Sequence, residues 1–322
     1  MVAIESPKKD GWPKMLIDVH AHQFPDKYTG TIARHGRQLF GPLASQTIDE
    51  RLRLMDEAGV DLQVLSPANL VPYFENEAVA LEAAHILNDG YAELTHRMPH
   101  RFKAYVSLPM PHVDASLREM DRGLGELGFA GVNFGCSILN RPVTEAEFEP
   151  LYAEMNRRRA ILFFHPVVNG LCSALLNDFN LAGSVGTTME DTLVALHMIV
   201  RQIPHRYPDI KIIVPHFGGL LPMLLARIDN QVAGTYKDLP EKPSATAKRF
   251  WYDTVGHGSH AALRCACEAF GPDHLVTGSD YPVLLPYERY AKTFSYIREA
   301  GLPGDAAEQI LHRSAPTLFG LT

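Results

Sequence analysis

Four short stretches of this sequence carry side chains that bind cations or move protons, and each ends an apolar run. They are Ile17-Asp18-Val19-His20-Ala21-His22, Phe163-Phe164-His165-Pro166, Val214-Pro215-His216-Phe217-Gly218-Gly219 and Thr277-Gly278-Ser279-Asp280-Tyr281-Pro282. Neutral imidazole and carboxylate are ligands for zinc and other first-row divalent ions, and imidazole also titrates near neutral pH. Residues two apart in an extended chain share a face, so His20 and His22 can reach one ion, and Asp18 is expected on that same face. Each stretch alone has an ordinary explanation. A His-x-His pair also serves as two hydrogen-bonded packing residues, a His before Pro is commonly structural, and Asp280 before Tyr281-Pro282 suits a turn. Taken together, the four describe a metal site.

Such a site needs elements that bring distant segments together. Strand-like runs rich in Val, Ile, Leu and Phe occur at 15–20, 60–66, 103–108, 129–134, 160–165, 211–216, 250–255 and 274–279. Most lack polar alternation, as parallel strands covered on both faces do. Amphipathic helical patterns lie between them. Thr47…Glu50 and Thr144…Glu147 read as capping boxes, and the Leu52, Met55 and Ala58 face ends near Gly59. This alternation predicts an α/β fold of the (β/α)8 TIM-barrel type, one domain over 14–322 behind a loose tail at 1–13. An open doubly wound sheet uses the same alternation, but no G-x-G-x-x-G follows the first strand. In a barrel, His20, His22, His165, His216 and Asp280 all land on the C-terminal rim, where such folds build their sites. The connections 23–46 and 169–186 are longer than ordinary loops and are candidate lids or pocket walls.

Composition sets the outer limits. The chain has 322 residues, 46% apolar and 21% charged, which matches a soluble globular protein rather than a disordered one. No run approaches the roughly 18 apolar residues of a membrane span. The net charge of −7 has the wrong sign for a dedicated nucleic-acid binder. No apolar leader segment is visible at 1–15, so a cytoplasmic location is expected. Cys136, Cys172, Cys265 and Cys267 are too few and irregular for a disulfide framework. Cys265 and Cys267 lie two apart in a helical pattern, point in different directions, and read as structural thiols.

The four stretches, with Arg51-Leu52-Arg53-Leu54-Met55-Asp56-Glu57-Ala58-Gly59-Val60, Leu127-Gly128-Phe129-Ala130-Gly131-Val132 and Ala315-Pro316-Thr317-Leu318-Phe319-Gly320-Leu321, resemble the amidohydrolase superfamily. The resembling branch is typified by α-amino-β-carboxymuconate-ε-semialdehyde decarboxylase, and the likeness covers most of the chain. It implies that His20, His22, His165 and Asp280 hold one divalent ion, zinc first and manganese as the alternative. It implies that His216 is the acid/base group beside that ion and that Asp280 also handles a proton. Arg51 matches an arginine that grips a substrate carboxylate. Arg227 matches one that crosses from a neighbouring subunit, which implies a homodimer. The plain alternative for both arginines is surface helix charge. His257 matches a family histidine and is expected in the pocket wall, with a packing or hydrogen-bonding role as the alternative. Two departures bear on substrate: Val167-Val168-Asn169 stands where the family decarboxylase has Trp-Asp, and Leu220 replaces a third glycine after His216.

Two reaction classes fit these residues. The favoured one is metal-dependent, non-oxidative decarboxylation of a small aromatic or unsaturated carboxylic acid. The alternative is hydrolysis of the lactonase or amidohydrolase type, in which an activated water attacks a carbonyl. A catalytically silent metal scaffold would lack the proton carrier, and His216 argues against it.

Overall fold

The computed structural model describes residues 14–37 and 47–321; the tail at 1–13 and the part of the first long connection at 38–46 lie outside the described residues. Eight strands appear where the apolar runs predict them: β1 (Ile17–His22), β2 (Leu62–Ser66), β3 (Phe102–Ser107), β4 (Gly131–Gly135), β5 (Ile161–His165), β6 (Lys211–Val214), β7 (Trp251–Asp253) and β8 (Leu275–Val276). They pair in chain order and all in parallel. The Val19 N–H donates to the Thr277 carbonyl at 2.9 Å, which joins β8 back to β1. A doubly wound sheet reverses its strand order part-way; this order runs one way and returns on itself, so the fold is the barrel.

The longer helices cover the outside: α1 (Asp26–Arg34), α2 (Ile48–Ala58), α3 (Glu77–Arg97), α4 (Val113–Asp121), α5 (Glu149–Arg158), α6 (Thr187–Val200), α7 (Leu221–Thr235), α8 (His260–Phe270) and α9 (Lys292–Glu299). Among the described residues no helix is long and apolar enough to cross a membrane. The first capping motif forms as expected: Thr47 Oγ1 accepts from the Glu50 N–H at 3.2 Å, and Gly59 closes α2 with φ 70°. The second does not form. Thr144 is buried with its hydroxyl unpartnered, and a single 3-10 turn at Ala146–Phe148 precedes α5. Pro150, whose ring favours the first helical turn, sets that start instead.

Inside the barrel, Ile17, Val19, Val64, Tyr105, Phe163 and Ile213 pack together, with Ala315 and Leu318 of the C-terminal segment against them. Each buried aliphatic or aromatic side chain contributes about 1.5–3 kcal/mol. Above this plug the interior turns polar, and the change is built into β1. Its register against β2 slips between Asp18 and Ala21, so Val19 and His20 together oppose Val64. This bulge brings Val19 and His20 both to the interior, and His22 follows two residues later. Asp18 is therefore on the opposite face from His20, contrary to the alternation expected from sequence. It is fully buried and accepts from Ser279 Oγ at 2.6 Å, Tyr290 OH at 2.9 Å and Gln63 Nε2 at 2.9 Å. Asp18 thus ties the β1, β2 and β8 segments together on the helix side.

Candidate metal centre and active site

His20 and His22 end β1, His165 ends β5, and Asp280 follows β8. Their donor atoms lie within 4.8 Å of one another, and all four residues are buried. The outward nitrogen of each ring is already engaged. His20 Nδ1 is 2.7 Å from Asp253 Oδ2, His22 Nδ1 is 2.9 Å from Ser66 Oγ, and His165 Nδ1 is 2.8 Å from the Pro166 carbonyl. An oxygen partner at Nδ1 holds the proton there and leaves Nε2 as the donor to a metal. His20 Nε2 and His22 Nε2 stand 3.2 Å apart, with Asp280 Oδ1 3.4 Å and 2.7 Å from them. His165 Nε2 is buried without any hydrogen-bond partner, which nitrogen lone pairs in protein interiors rarely tolerate. Three inward imidazole nitrogens, one of them orphaned, and a carboxylate form a donor set that fits a divalent ion.

The backbone makes this convergence possible. Gly278 lets β8 lie against β1: a Cβ there would come within 2.9 Å of His20 Cβ and 3.1 Å of Asp253 Cβ. The Asp280 N–H donates to the His20 carbonyl at 2.8 Å. His216 and Asp280 both adopt left-handed backbone conformations, with φ 50° and 54°. That conformation costs a non-glycine residue about 1–3 kcal/mol and is typical of sites where the surroundings dictate geometry.

Charges within the cluster are separated by environment. Burial lowers the His22 pKa to about 4, and burial with the neighbouring imidazoles holds His165 well below its ordinary range. Burial also pushes His20 down, but the Asp253 and Asp280 carboxylates outweigh it and raise His20 to about 9. Burial favours a neutral Asp280, yet its hydrogen bonds to His20, His216 and His22 hold it well below the usual carboxylate range.

His216 stands beside the cluster rather than in it. Its Nδ1 is 2.9 Å from Asp191 Oδ2 and its Nε2 is 3.9 Å from Asp280 Oδ2. Burial works against the charged ring, but the Asp191 charge and hydrogen bond overcome it and raise the His216 pKa well above the ordinary value. The His216 N–H donates to Asp253 Oδ1 at 2.9 Å, so one carboxylate supports both His20 and His216. His165, His216 and Asp280 line a cavity of about 1210 Å³. The long 169–186 connection forms part of its wall through Phe179, Asn180 and Gly183, as its length suggested.

The amidohydrolase family model matches residues 17–321, nearly the whole barrel. The chain belongs to the amidohydrolase family. It is 28% identical over 240 residues to 2-amino-3-carboxymuconate-6-semialdehyde decarboxylase of Dictyostelium discoideum, covering 73% of this chain and 66% of the relative, just under two thirds of its length. It is 25% identical to 6-methylsalicylic acid decarboxylase of Penicillium expansum, covering 94% of this chain and 95% of the relative. The fold is shared with dihydroxybenzoic acid decarboxylase of Polaromonas sp. JS666, solved with bound manganese and the inhibitor 2-nitroresorcinol. That superposition has a TM-score of 0.79 at 24% identity and covers 96% of this chain and 98% of the other.

Within this amidohydrolase, the two arginines and His257 have different placements. Arg51 is not among the described residues that line the cavity. It is 2% exposed, donates to the His22 carbonyl and, at 3.1 Å, to Gln63 Oε1, and lies 4.3 Å from the centre of the Tyr281 ring. These partners hold two guanidinium nitrogens beside β1, while Nε has no hydrogen-bond partner among the described residues. It is not surface helix charge. Arg227 is exposed on α7, one turn beyond Met223 at the cavity wall, and is not among that cavity's lining residues. His257 lines the cavity, exposed, with its ring 5.9 Å from Tyr287.

Sequence reasoning passed over four residues that support the candidate site through hydrogen bonds. Asp253 and Ser66 end β7 and β2, so the strand-end rule that selected His165 applies equally to them. Asp191 lies inside α6 with no local signal. Its neighbour Glu190 accepts from the backbone N–H groups of Val167 at 2.7 Å and Asn169 at 3.2 Å, fixing the start of the cavity wall.

Proposed function

We propose that this amidohydrolase is a metal-dependent, non-oxidative decarboxylase of a small aromatic or unsaturated carboxylic acid. The observation that carries the reading is the convergence of three imidazole nitrogens and Asp280 at the buried end of a cavity, with His216 beside them. The decarboxylase relatives support the choice of reaction. The bond between the carboxyl group and its carbon breaks, the electron pair stays on that carbon, carbon dioxide leaves, and one proton fills the vacated position. When bound, a divalent ion held by His20, His22, His165 and Asp280 supplies an electrophile that anchors substrate oxygen and stabilises negative charge. Asp253 and Ser66 orient two of the ligand rings. Asp191 aims His216 Nε2 toward Asp280, and these two groups handle the proton at the reacting carbon. The surrounding Phe217, Val255 and Leu284 keep bulk water from competing for it.

Zinc is the proposed resident ion, supported by the nitrogen-rich donor set. Manganese, present in the Polaromonas decarboxylase structure, is the alternative occupant. The proposed assembly is a homodimer in which the partner subunit's Arg227 completes each site. It is supported by the exposure of Arg227, its lack of any ion pair or hydrogen bond among the described residues, and the 76% exposure of Met223 on the same helix face. A cytoplasmic setting is proposed as well, with four free cysteines in its support. The test is incubation of metal-reconstituted enzyme with carboxyl-labelled 2-hydroxybenzoates in deuterated water. The expected result is labelled carbon dioxide and one deuterium at the vacated carbon. Opening of lactones with no carbon dioxide from any acid would overturn the reading in favour of hydrolysis.

A further inference from the structure

We propose that the acid taken by this site carries a bulky apolar substituent, and that this substituent lodges against α8 at Ala261, Ala262 and Cys265. The inference rests on the decarboxylase reading for the reacting carboxylate and extends it to the rest of the substrate. Three observations lead to it.

The first is size. The cavity holds about 1210 Å³, whereas pockets for drug-sized ligands span roughly 300–1,000 Å³. A one-ring acid at the metal end would leave most of that room to water.

The second is the lining. The lining that includes His165, His216 and Asp280 also takes in residues of α8 and of the segment after β8. On α8 the cavity meets Ala261, Ala262 and Cys265, small side chains in which Cys265 lies four and three positions beyond the alanines and so neighbours both on the helix surface. Val283, Leu284 and Tyr287 line the same cavity. No Lys or Arg occurs among the described lining residues, and the α8 wall offers no charged group.

The third is continuity. The apolar region and the metal cluster belong to one cavity, so a single molecule can occupy both ends. Water against these α8 side chains would contact mainly carbon; an alkyl or aryl group there exchanges that contact for burial.

The test uses 2-hydroxybenzoates bearing hydrogen, methyl, propyl or pentyl on the ring, and one chain of pentyl length ending in a carboxylate. Dissociation constants are measured by calorimetry on metal-loaded His216→Ala enzyme, and carbon dioxide release is measured on the wild type. Affinity is expected to rise about fourfold per added methylene until the wall is filled, and the carboxylate-ended chain is expected to bind more weakly than pentyl. That pattern supports the inference even if no acid releases carbon dioxide, in which case only the decarboxylase reading fails. Flat or falling affinity beyond methyl, with carbon dioxide still released from the smaller acids, overturns the inference and leaves that reading standing. Ala262→Phe and, independently, Cys265→Phe are expected to bring the pentyl-to-methyl affinity ratio close to one. A ratio unchanged in whichever variant folds would place the substituent elsewhere and refute the assignment.

Discussion

Replacing Asp253 by Asn leaves the heavy-atom count unchanged and adds almost no bulk, yet it strikes two parts of the site at once. Asp253 Oδ2 receives the His20 Nδ1 proton at 2.7 Å, while Oδ1 accepts the backbone N–H groups of His216 at 2.9 Å and Val255 at 3.1 Å. A carboxylate satisfies all three donors; an amide satisfies only one side. If the new NH2 faces His20, the imidazole proton must move to Nε2, the atom that would bind the metal. If the amide turns over, its NH2 meets the N–H groups of His216 and Val255, leaving donors opposed to donors at a fully buried position. Substitution of such supporting groups typically costs 10–100-fold in metal affinity, about 1.4–2.7 kcal/mol. We expect the upper end for Asp253→Asn, because His20 and His216 both depend on this residue. Ser66→Ala, which removes one neutral hydrogen bond at His22, should cost about tenfold or less. The assay is competition for zinc between ion-free protein and a fluorescent chelator, with circular dichroism confirming the fold. Equal affinity for wild type and Asp253→Asn, or a larger loss in Ser66→Ala, would refute this ordering of the supporting groups.

Further outcomes follow from the same geometry. In ion-free protein His20 keeps its second proton up to about pH 9, so below that pH a metal must displace it. Apparent metal affinity should therefore rise about tenfold per pH unit toward pH 9 and then level, and an affinity unchanged between neutral and alkaline pH would contradict the sign. His216→Ala should retain its ion and lose about 10²–10⁴-fold in turnover, read as metal content beside the rate of carbon dioxide release. Turnover close to wild type would remove His216 from the chemistry. Arg51→Ala should lower the melting temperature and loosen the metal site more than it changes KM, since its partners are the His22 carbonyl and Gln63. A selective rise in KM with intact stability would instead support the substrate-binding role. Mixing inactive His216→Ala with inactive Arg227→Ala should recover about a quarter of wild-type activity if the two residues act across a dimer, since half of random dimers then hold one intact site. No recovery in dimers shown to exchange subunits would count against the shared site.

Much of the fold was legible because parallel barrel strands are buried on both faces and therefore read as short apolar runs. The eight strands lie within a few residues of their expected positions, and the ligands follow because β1, β5 and β8 deliver them at or just beyond their ends. The failures have definite physical sources. Alternation misplaced Asp18, because a one-residue bulge in β1 is set by pairing with β2 and leaves no mark on a single strand's sequence. Arg51 sits in a helix rich in charge, and helical spacing alone does not reveal a guanidinium drawn between Gln63 and Tyr281. Asp191 is far from His216 in sequence and lies on a helix that otherwise presents ordinary amphipathic character. Thr144 has the residues of a capping box, but Pro150 decides where α5 begins. Local pattern thus located the rim of the barrel and most of what stands on it; contacts between elements determined how those groups are supported.

The most direct measurement is an anomalous-difference map, recorded at the metal absorption edge, from crystals of the purified chain. One peak is expected per chain, in contact with His20, His22, His165 and Asp280 and with His216 just outside its coordination sphere. A fully loaded ion found away from these four side chains would contradict the account.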